Sequence, residues 1–198
     1  MKTPLLIATK NKGKVREIKH ALKALKLKII SLIDLPKAPD IRENGRTFEA
    51  NAIKKAMTIS RKFKAVVMAD DSGLEVKALR GQPGIRSARY AGPNPTTKKL
   101  CTKLLKAMSK KNDRTAKFVC DIAIARPDGR IKVAEGVCRG KISDRRLGSQ
   151  GFGYDPVFIP DGYWKTFAQM PLSLKNNISH RGKALRAAKA YLARIFAS

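Results

Sequence analysis

Short apolar runs of strand length alternate along this chain with longer segments whose apolar residues recur at helical spacing, and that alternation restricts the fold to the α/β class. Leu5 to Thr9 is a strand-length run, and Val15 to Leu27 follows it with Val15, Ile18, Leu22 and Leu25 at helical spacing. Leu27 to Leu32 is a second strand candidate, and a proline-punctuated loop, Leu35 to Arg42, leads to Glu43. Thr47 to Phe63 reads as a helix with Thr47 as its N-cap. Val66 to Ala69 reads as a strand that stops at Asp70-Asp71, and Thr96 to Met108 as a further helix. Ala116 to Ala125 and Ile131 to Val137 are strand-like and flank Arg126-Pro127-Asp128-Gly129, whose Pro-Asp-Gly is a turn signal, so the two are expected to pair as a hairpin and make the sheet mixed. A terminal helix, Gly182 to Phe196, carries its apolar stripe through Ala184, Leu185, Ala188, Tyr191, Leu192 and Ile195. With no internal repeat or low-complexity linker, residues 1–198 are expected to form one domain.

Charge is the next constraint. The chain carries 43 Lys and Arg against 15 Asp and Glu, a formal net charge of +28. Such a field gathers anions, whether nucleotides, polyphosphates, nucleic acid or an acidic membrane surface; alternatively it only keeps a solvated surface soluble. The three cysteines, Cys101, Cys120 and Cys138, are odd in number and show no CxxC spacing, which argues against a disulfide framework or a zinc site and for reduced core thiols. The apolar segment Pro4 to Ala8 is too short for a signal-peptide core, and no later run reaches the length of a membrane span. A cytoplasmic protein with no membrane partner is the expectation.

Three clusters carry chemistry. Thr9-Lys10-Asn11-Lys12-Gly13-Lys14 lies between a strand and a helix N-terminus, where free N–H groups and the helix dipole favour a phosphate; it is not a Walker A sequence, and a plain lysine-rich turn is the competing reading. Glu43, Asp70 and Asp71 are carboxylates that each follow a regular element, a supply of oxygen ligands that suits Mg²⁺ together with substrate phosphates. Against this, either aspartate could cap a turn through Ser72-Gly73. Successive strand side chains point to opposite faces, so one carboxylate should face the site and the other do something different. The third cluster is Phe152-Gly153-Tyr154-Asp155 with Lys175, His180 and Arg181 downstream. It reads either as an aromatic platform with polar groups for a base edge, or as core and helix-cap residues.

Taken in order, "IATKNKGKVREI", "GRTFEANAIKKA", "ADDSGLEVKALRGQPGIRSARYAG", "GFGYDPVF" and "SHRGKAL" resemble the inosine/xanthosine triphosphate pyrophosphatase family, which removes non-canonical purine nucleotides. The motifs run from Ile7 to Leu185. The resemblance implies a long mixed sheet with flanking helices, two lobes around a central substrate cleft, and a homodimer. It also implies Mg²⁺-dependent cleavage of ITP, dITP and XTP between the α and β phosphorus atoms, which keeps such nucleotides out of DNA and RNA. By resemblance Thr9 to Lys14 form the triphosphate loop, and Glu43 and Asp71 are the metal ligands. Asp71 is also the proton acceptor, Ser72 contacts substrate, Lys55 faces the phosphates, and Asp70 is a companion acid in the catalytic region. Phe152 to Asp155 match the base platform, with Lys175, His180 and Arg181 completing the purine pocket.

Three features depart from that pattern. Ala50 stands directly before Asn51 where the family carries an acid, with Glu49 one residue earlier, and Asp121 is less apolar than its usual counterpart in the strand. The charge itself is the other departure, and it raises the expectation of weak, non-specific nucleic-acid binding beside the purine nucleotide substrate.

Overall fold

A computed structural model describes residues 4–35 and 38–197. Pro36 and Lys37, part of the expected proline-punctuated loop, lie outside the described residues. Six strands form one sheet in the order β2-β1-β3-β4-β5-β6, built from β1 (Leu5–Ile7), β2 (Ile29–Ser31), β3 (Val67–Val76), β4 (Thr115–Ala125), β5 (Ile131–Ile142) and β6 (Phe158–Pro160). The helices are α1 (Lys12–Ala21), α2 (Phe48–Phe63), α3 (Thr97–Ala107), α4 (Leu172–Ile178) and α5 (His180–Phe196). β1 pairs in parallel with β2 and with β3, whereas β5 and β6 are antiparallel, so the sheet is mixed. Among the described residues no helix is long and apolar enough to cross a membrane.

The chain divides into two compact units. One comprises Met1–Asp71, Cys120–Gly136 and Arg181–Ser198; the other comprises Ser72–Val119 and Val137–His180. In the first unit the strand pleat sorts alternate residues into two apolar layers. Leu5, Ile7 and Met68 pack with Ile18 and Leu22 of α1 and with Leu185 and Leu192 of α5. Leu6, Val67 and Ala69 pack with Ala52, Ala56 and Ile59 of α2. In the second unit Leu74, Val76 and Phe118 share a core with Leu100 and Leu104 of α3, Phe158 and Phe167. Phe118 and Phe158 meet edge to face with centroids 4.8 Å apart, the arrangement the ring quadrupoles favour.

Three local expectations are corrected. β3 does not stop at the acid pair; it runs on to Val76, because Leu74 and Val76 continue the buried alternation and leave Asp70 and Asp71 inside the strand. α1 ends at Ala21 rather than Leu27, giving way to a 3-10 turn over Lys23–Leu25 that closes on Lys26 at φ 49. Spacing of three between Leu22 and Leu25 suits that tighter turn as well as an α-helix. The terminal segment is also richer than one helix: β6 and α4 precede α5, which begins at His180 rather than Gly182. Thr47 caps α2 as expected, its side chain accepting from the Ala50 N–H. All three cysteines are buried thiols outside any disulfide.

Candidate active site

The pleat of β3 gives its two aspartates separate surroundings in the first unit. Asp71 continues the layer of Val67 and Ala69 beneath α2, and Asp70 continues that of Met68 toward α1 and α5. Asp70 Oδ2 lies 3.0 Å from Lys14 Nζ and 3.0 Å from Arg181 Nη2, while Arg181 Nε is at 3.2 Å. Arg181 also donates through Nη1 to Glu17 of α1, so a fully buried guanidinium is shared by two carboxylates from different elements. Burial alone would raise the Asp70 pKa, but Lys14, Arg181 and Lys55 outweigh it and hold the carboxyl well below the usual range. Its Oδ1 is buried with no hydrogen-bond partner among the described residues.

Asp71 sits in a different set. Asn51 of α2, itself 1% exposed, donates through Nδ2 to Asp71 Oδ2 at 2.9 Å, and its Oδ1 accepts the Gly45 N–H at 2.8 Å. Lys55, one helical turn further along α2, places Nζ 2.5 Å from Glu43 Oε1, 2.6 Å from the Asp70 carbonyl oxygen and 3.6 Å from Asp71 Oδ1. Lys54 donates to the Arg42 carbonyl at 2.9 Å and to Asn44 Oδ1 at 2.7 Å. Residues at i, i+3 and i+4 of one helix therefore hold the whole 42–45 loop and bring Glu43 to the lysine that also faces Asp71. Gly45 is required there, since a Cβ would lie 2.7 Å from Asn51 Oδ1. Burial pushes the Asp71 pKa up and Glu43 adds to the rise, against the pull of Lys55 and Lys14. Burial opposes the charge on Lys55, but Asp71, Asp70 and Glu43 prevail and keep it protonated.

The strand-to-helix turn before α1 forms an anion-ready terminus. Asn11 is the N-cap, accepting from the Lys14 N–H at 3.1 Å, and Thr9 Oγ1 accepts from the Asn11 N–H. Lys10 reaches out to Asp40 at 2.6 Å on the surface, Lys12 is exposed, and Gly13 is half-buried; Lys14 alone of these lysines turns inward to Asp70.

Of the residues expected around a base, Arg181 belongs to the first unit and the others lie in the second. Asp155 Oδ2 accepts from the Phe152 N–H at 2.8 Å and from Lys175 Nζ at 2.5 Å, a buried ion pair that closes the Gly-rich loop on itself. Gly151, at φ +77, makes room: a Cβ there would stand 2.0 Å from Asp155 Oδ2. Lys175 Nζ lies 5.0 Å from the centre of the Phe152 ring, and Phe152 remains half-buried. Gly153 donates to Thr97 Oγ1, fixing the loop to the start of α3. Tyr154 takes the core reading, 3% exposed with its hydroxyl donating to the Ser87 carbonyl at 2.9 Å. His180 is buried and stacks flat on Phe118, centroids 4.5 Å apart, rather than standing as an exposed helix cap. Ser72 is half-buried and follows Asp71 directly.

Asn51 is the site residue that sequence reasoning passed over. The sequence marks it only as the neighbour of Ala50, although an amide four residues before Lys55 lies on the same helix face. Ala50 itself is exposed, and the backbone N–H of Glu49 exerts a small downward pull on the Asp121 pKa. Asp121 is 8% exposed, and burial together with Glu135, Glu49 and Asp71 raises its pKa to about 6.

The donor set near Lys55 fits a hard divalent cation. Two carboxylates, Glu43 and Asp71, converge there, and Mg²⁺ takes one or two protein carboxylates, with waters and substrate phosphates as its remaining ligands. Among the described residues no group of three or more His, Cys, Asp or Glu is placed to hold a metal, which speaks against an all-protein cage.

The family model of the Ham1 family matches residues 5–191. A protein of Oceanobacillus iheyensis named dITP/XTP pyrophosphatase is 47% identical over 184 residues, covering 91% of this chain and 93% of its own length. Another of that name, from Desulforamulus reducens, is 45% identical and covers 97% and 96%. Among solved structures, the Staphylococcus aureus Ham1 protein superposes with a TM-score of 0.86 at 40% identity, over 98% of this chain and 100% of that one.

Proposed function

From the premise that the chain belongs to the Ham1 family, we infer that it is a nucleoside triphosphate pyrophosphatase that hydrolyses non-canonical purine nucleotides. The reaction is attack of water on the α phosphorus, cleavage of the α–β phosphoanhydride bond, and release of a monophosphate and pyrophosphate. The observation that carries the assignment of chemistry is the placing of Asp71: a buried carboxylate with one oxygen held by Asn51 and the other near Lys55, beside Glu43.

Each cluster has a role in this reading. Lys14 and the N-terminus of α1, with Thr9 to Gly13, take phosphate oxygens; Lys55 adds a second cation. Glu43 and Asp71 hold Mg²⁺, which when bound neutralises charge on the phosphate chain. Asp71 accepts the proton of the attacking water, and its burial makes it a better base than an exposed aspartate. Asp70, already committed to Lys14 and Arg181, aims the lysine instead of touching the water, and Arg181 serves the pocket through that buried contact. The base falls to Phe152, Gly153, Asp155, Lys175 and His180, with Tyr154 bracing the loop and Ser72 contacting substrate.

Selectivity follows from unmatched donors. Inosine and xanthosine carry a 6-oxo acceptor where adenine carries an amino donor, so a loop N–H that meets the 6-oxo oxygen goes unpaired with ATP. Each unpaired buried donor costs about 1–3 kcal/mol. A homodimer in the cytoplasm completes the reading. A nucleotide panel assayed for pyrophosphate release with and without Mg²⁺ tests it: dITP, ITP and XTP are turned over only with the metal and far faster than ATP. Equal turnover of ATP removes the base assignment, and full activity in chelator removes the metal site.

A further inference from the structure

Val76 to Asn112, wholly within the second unit, holds ten Lys and Arg and no Asp or Glu over 37 residues. α3 shows how this charge is displayed. One face of the helix, Leu100, Cys101 and Leu104, is buried in the core of the unit, with Met108 just beyond its end. Lys99, Lys103 and Lys106 recur at intervals of four and three residues, which places them in a stripe on the opposite face; all three are exposed, as is Lys110 in the turn just past the helix.

Lys103 joins this stripe to a second basic element. Its Nζ donates to the Tyr90 carbonyl at 2.5 Å and sits 4.7 Å from the centre of the Tyr90 ring. Tyr90 closes the 3-10 turn Gly84–Arg89, so Arg86 and Arg89, both exposed, are held beside the helix. Among the described residues no carboxylate lies within ion-pair distance of Arg86, Arg89, Lys99, Lys106 or Lys110. These cations therefore meet solvent unneutralised, unlike Lys10, Lys14 and Lys55, which are paired.

We propose that this face of α3 and the adjoining Arg86–Arg89 turn bind the phosphate backbone of duplex nucleic acid without sequence preference. Lys99 to Lys106 span ~10 Å along the helix, a length over which a duplex presents roughly six phosphate charges. The surface is suited to an extended polyanion. It holds no exposed large apolar side chain: among the described residues those are Ile33, Ile131, Tyr163 and Trp164, all outside the segment. A membrane-seated helix needs such residues beside its lysines, and strand-specific stacking needs free aromatics, so backbone contact with a duplex is the occupant this chemistry favours.

The test measures fluorescence anisotropy of a labelled mixed-sequence DNA duplex of about 20 base pairs from 50 to 200 mM salt, a range in which phosphate contacts dominate the affinity. Three proteins are compared: the wild type, Lys99→Glu/Lys106→Glu/Lys110→Glu, and Lys23→Glu/Lys26→Glu/Lys28→Glu, which makes the same change in net charge on an exposed segment of the first unit. The α3 triple is expected to bind at least tenfold more weakly, with the slope of log affinity on log salt reduced by roughly three. The control triple is expected to stay within about threefold of the wild type. Thermal melting and turnover at saturating substrate, unchanged in both variants, exclude misfolding. Equal weakening by both triples shows a diffuse field and no surface, and absence of duplex binding by the wild type, or preference for anionic vesicles over duplex, equally overturns the proposal.

Discussion

Asn51 spans two parts of the site with a single amide: Nδ2 donates to Asp71 Oδ2 at 2.9 Å and Oδ1 accepts the Gly45 N–H at 2.8 Å. The loop that carries Glu43 and the strand that carries Asp71 are thereby set against each other by one buried side chain. Asn51→Ala leaves a buried carboxylate oxygen and a backbone N–H each short of a partner, at a stability cost of about 1–3 kcal/mol. The same variant is expected to lose roughly 10- to 100-fold in kcat with little change in KM, because positioning of the base is lost and substrate contacts are kept. A loss confined to KM would place Asn51 on the substrate instead.

Asp70 and Arg181 form a buried pair that should govern stability more than turnover. Asp70→Ala deprives the buried guanidinium of one of the two carboxylates that share it, and removal of one member of a buried pair costs about 3–5 kcal/mol. The sign with pH follows from the lowered pKa of Asp70. Its contribution is fully present above the unfolded value near 3.8 and disappears only as pH falls below it toward the folded value. Denaturant melts of wild type and variant at pH 7 and in the acid range below 4 check this; a gap that closes already at pH 6 contradicts it.

Asp121 should behave in the opposite sense. Its folded pKa is about 6 against 3.8 for an ordinary aspartate, so the native state binds its proton more tightly than the unfolded chain. The resulting penalty is present in full above the folded value and fades as pH falls from about 6 to about 4. Asp121→Asn removes the disfavoured charge at nearly constant shape and is expected to stabilise the protein by about 1–2 kcal/mol at pH 7.5, after allowance for solvent screening. That advantage should vanish near pH 4. A variant less stable than the wild type at pH 7.5 shows that the charge on Asp121 is needed at the N-terminus of α2.

The regular elements were readable because their signals are local. Thr47 as the cap of α2, the turn at Arg126 to Gly129, and the sorting of Asp70 and Asp71 to opposite layers all follow from side-chain period and backbone chemistry. What escaped depended on partners distant in sequence. The end of β3 was misplaced because two acids look like punctuation until Arg181, 111 residues away from Asp70, neutralises one of them. The core position of Tyr154 depends on the Ser87 carbonyl, 67 residues away, and Asn51 gains its role only when Gly45 and Asp71 are brought to it. β6 is hidden at the end of a glycine-rich stretch, and α4 is a short helix whose Lys175 gains its buried partner only when Asp155, 20 residues away, is brought to it.

The most direct test of the account is pyrophosphate release from dITP with Mg²⁺ by the wild type and by Asp71→Asn, with thermal melts recorded on the same samples. The account predicts one pyrophosphate per monophosphate from the wild type. It also predicts a variant that melts as a folded protein and turns over about 10²- to 10⁴-fold more slowly. Turnover by folded Asp71→Asn near the wild-type rate, or stepwise release of single phosphates by the wild type, contradicts it.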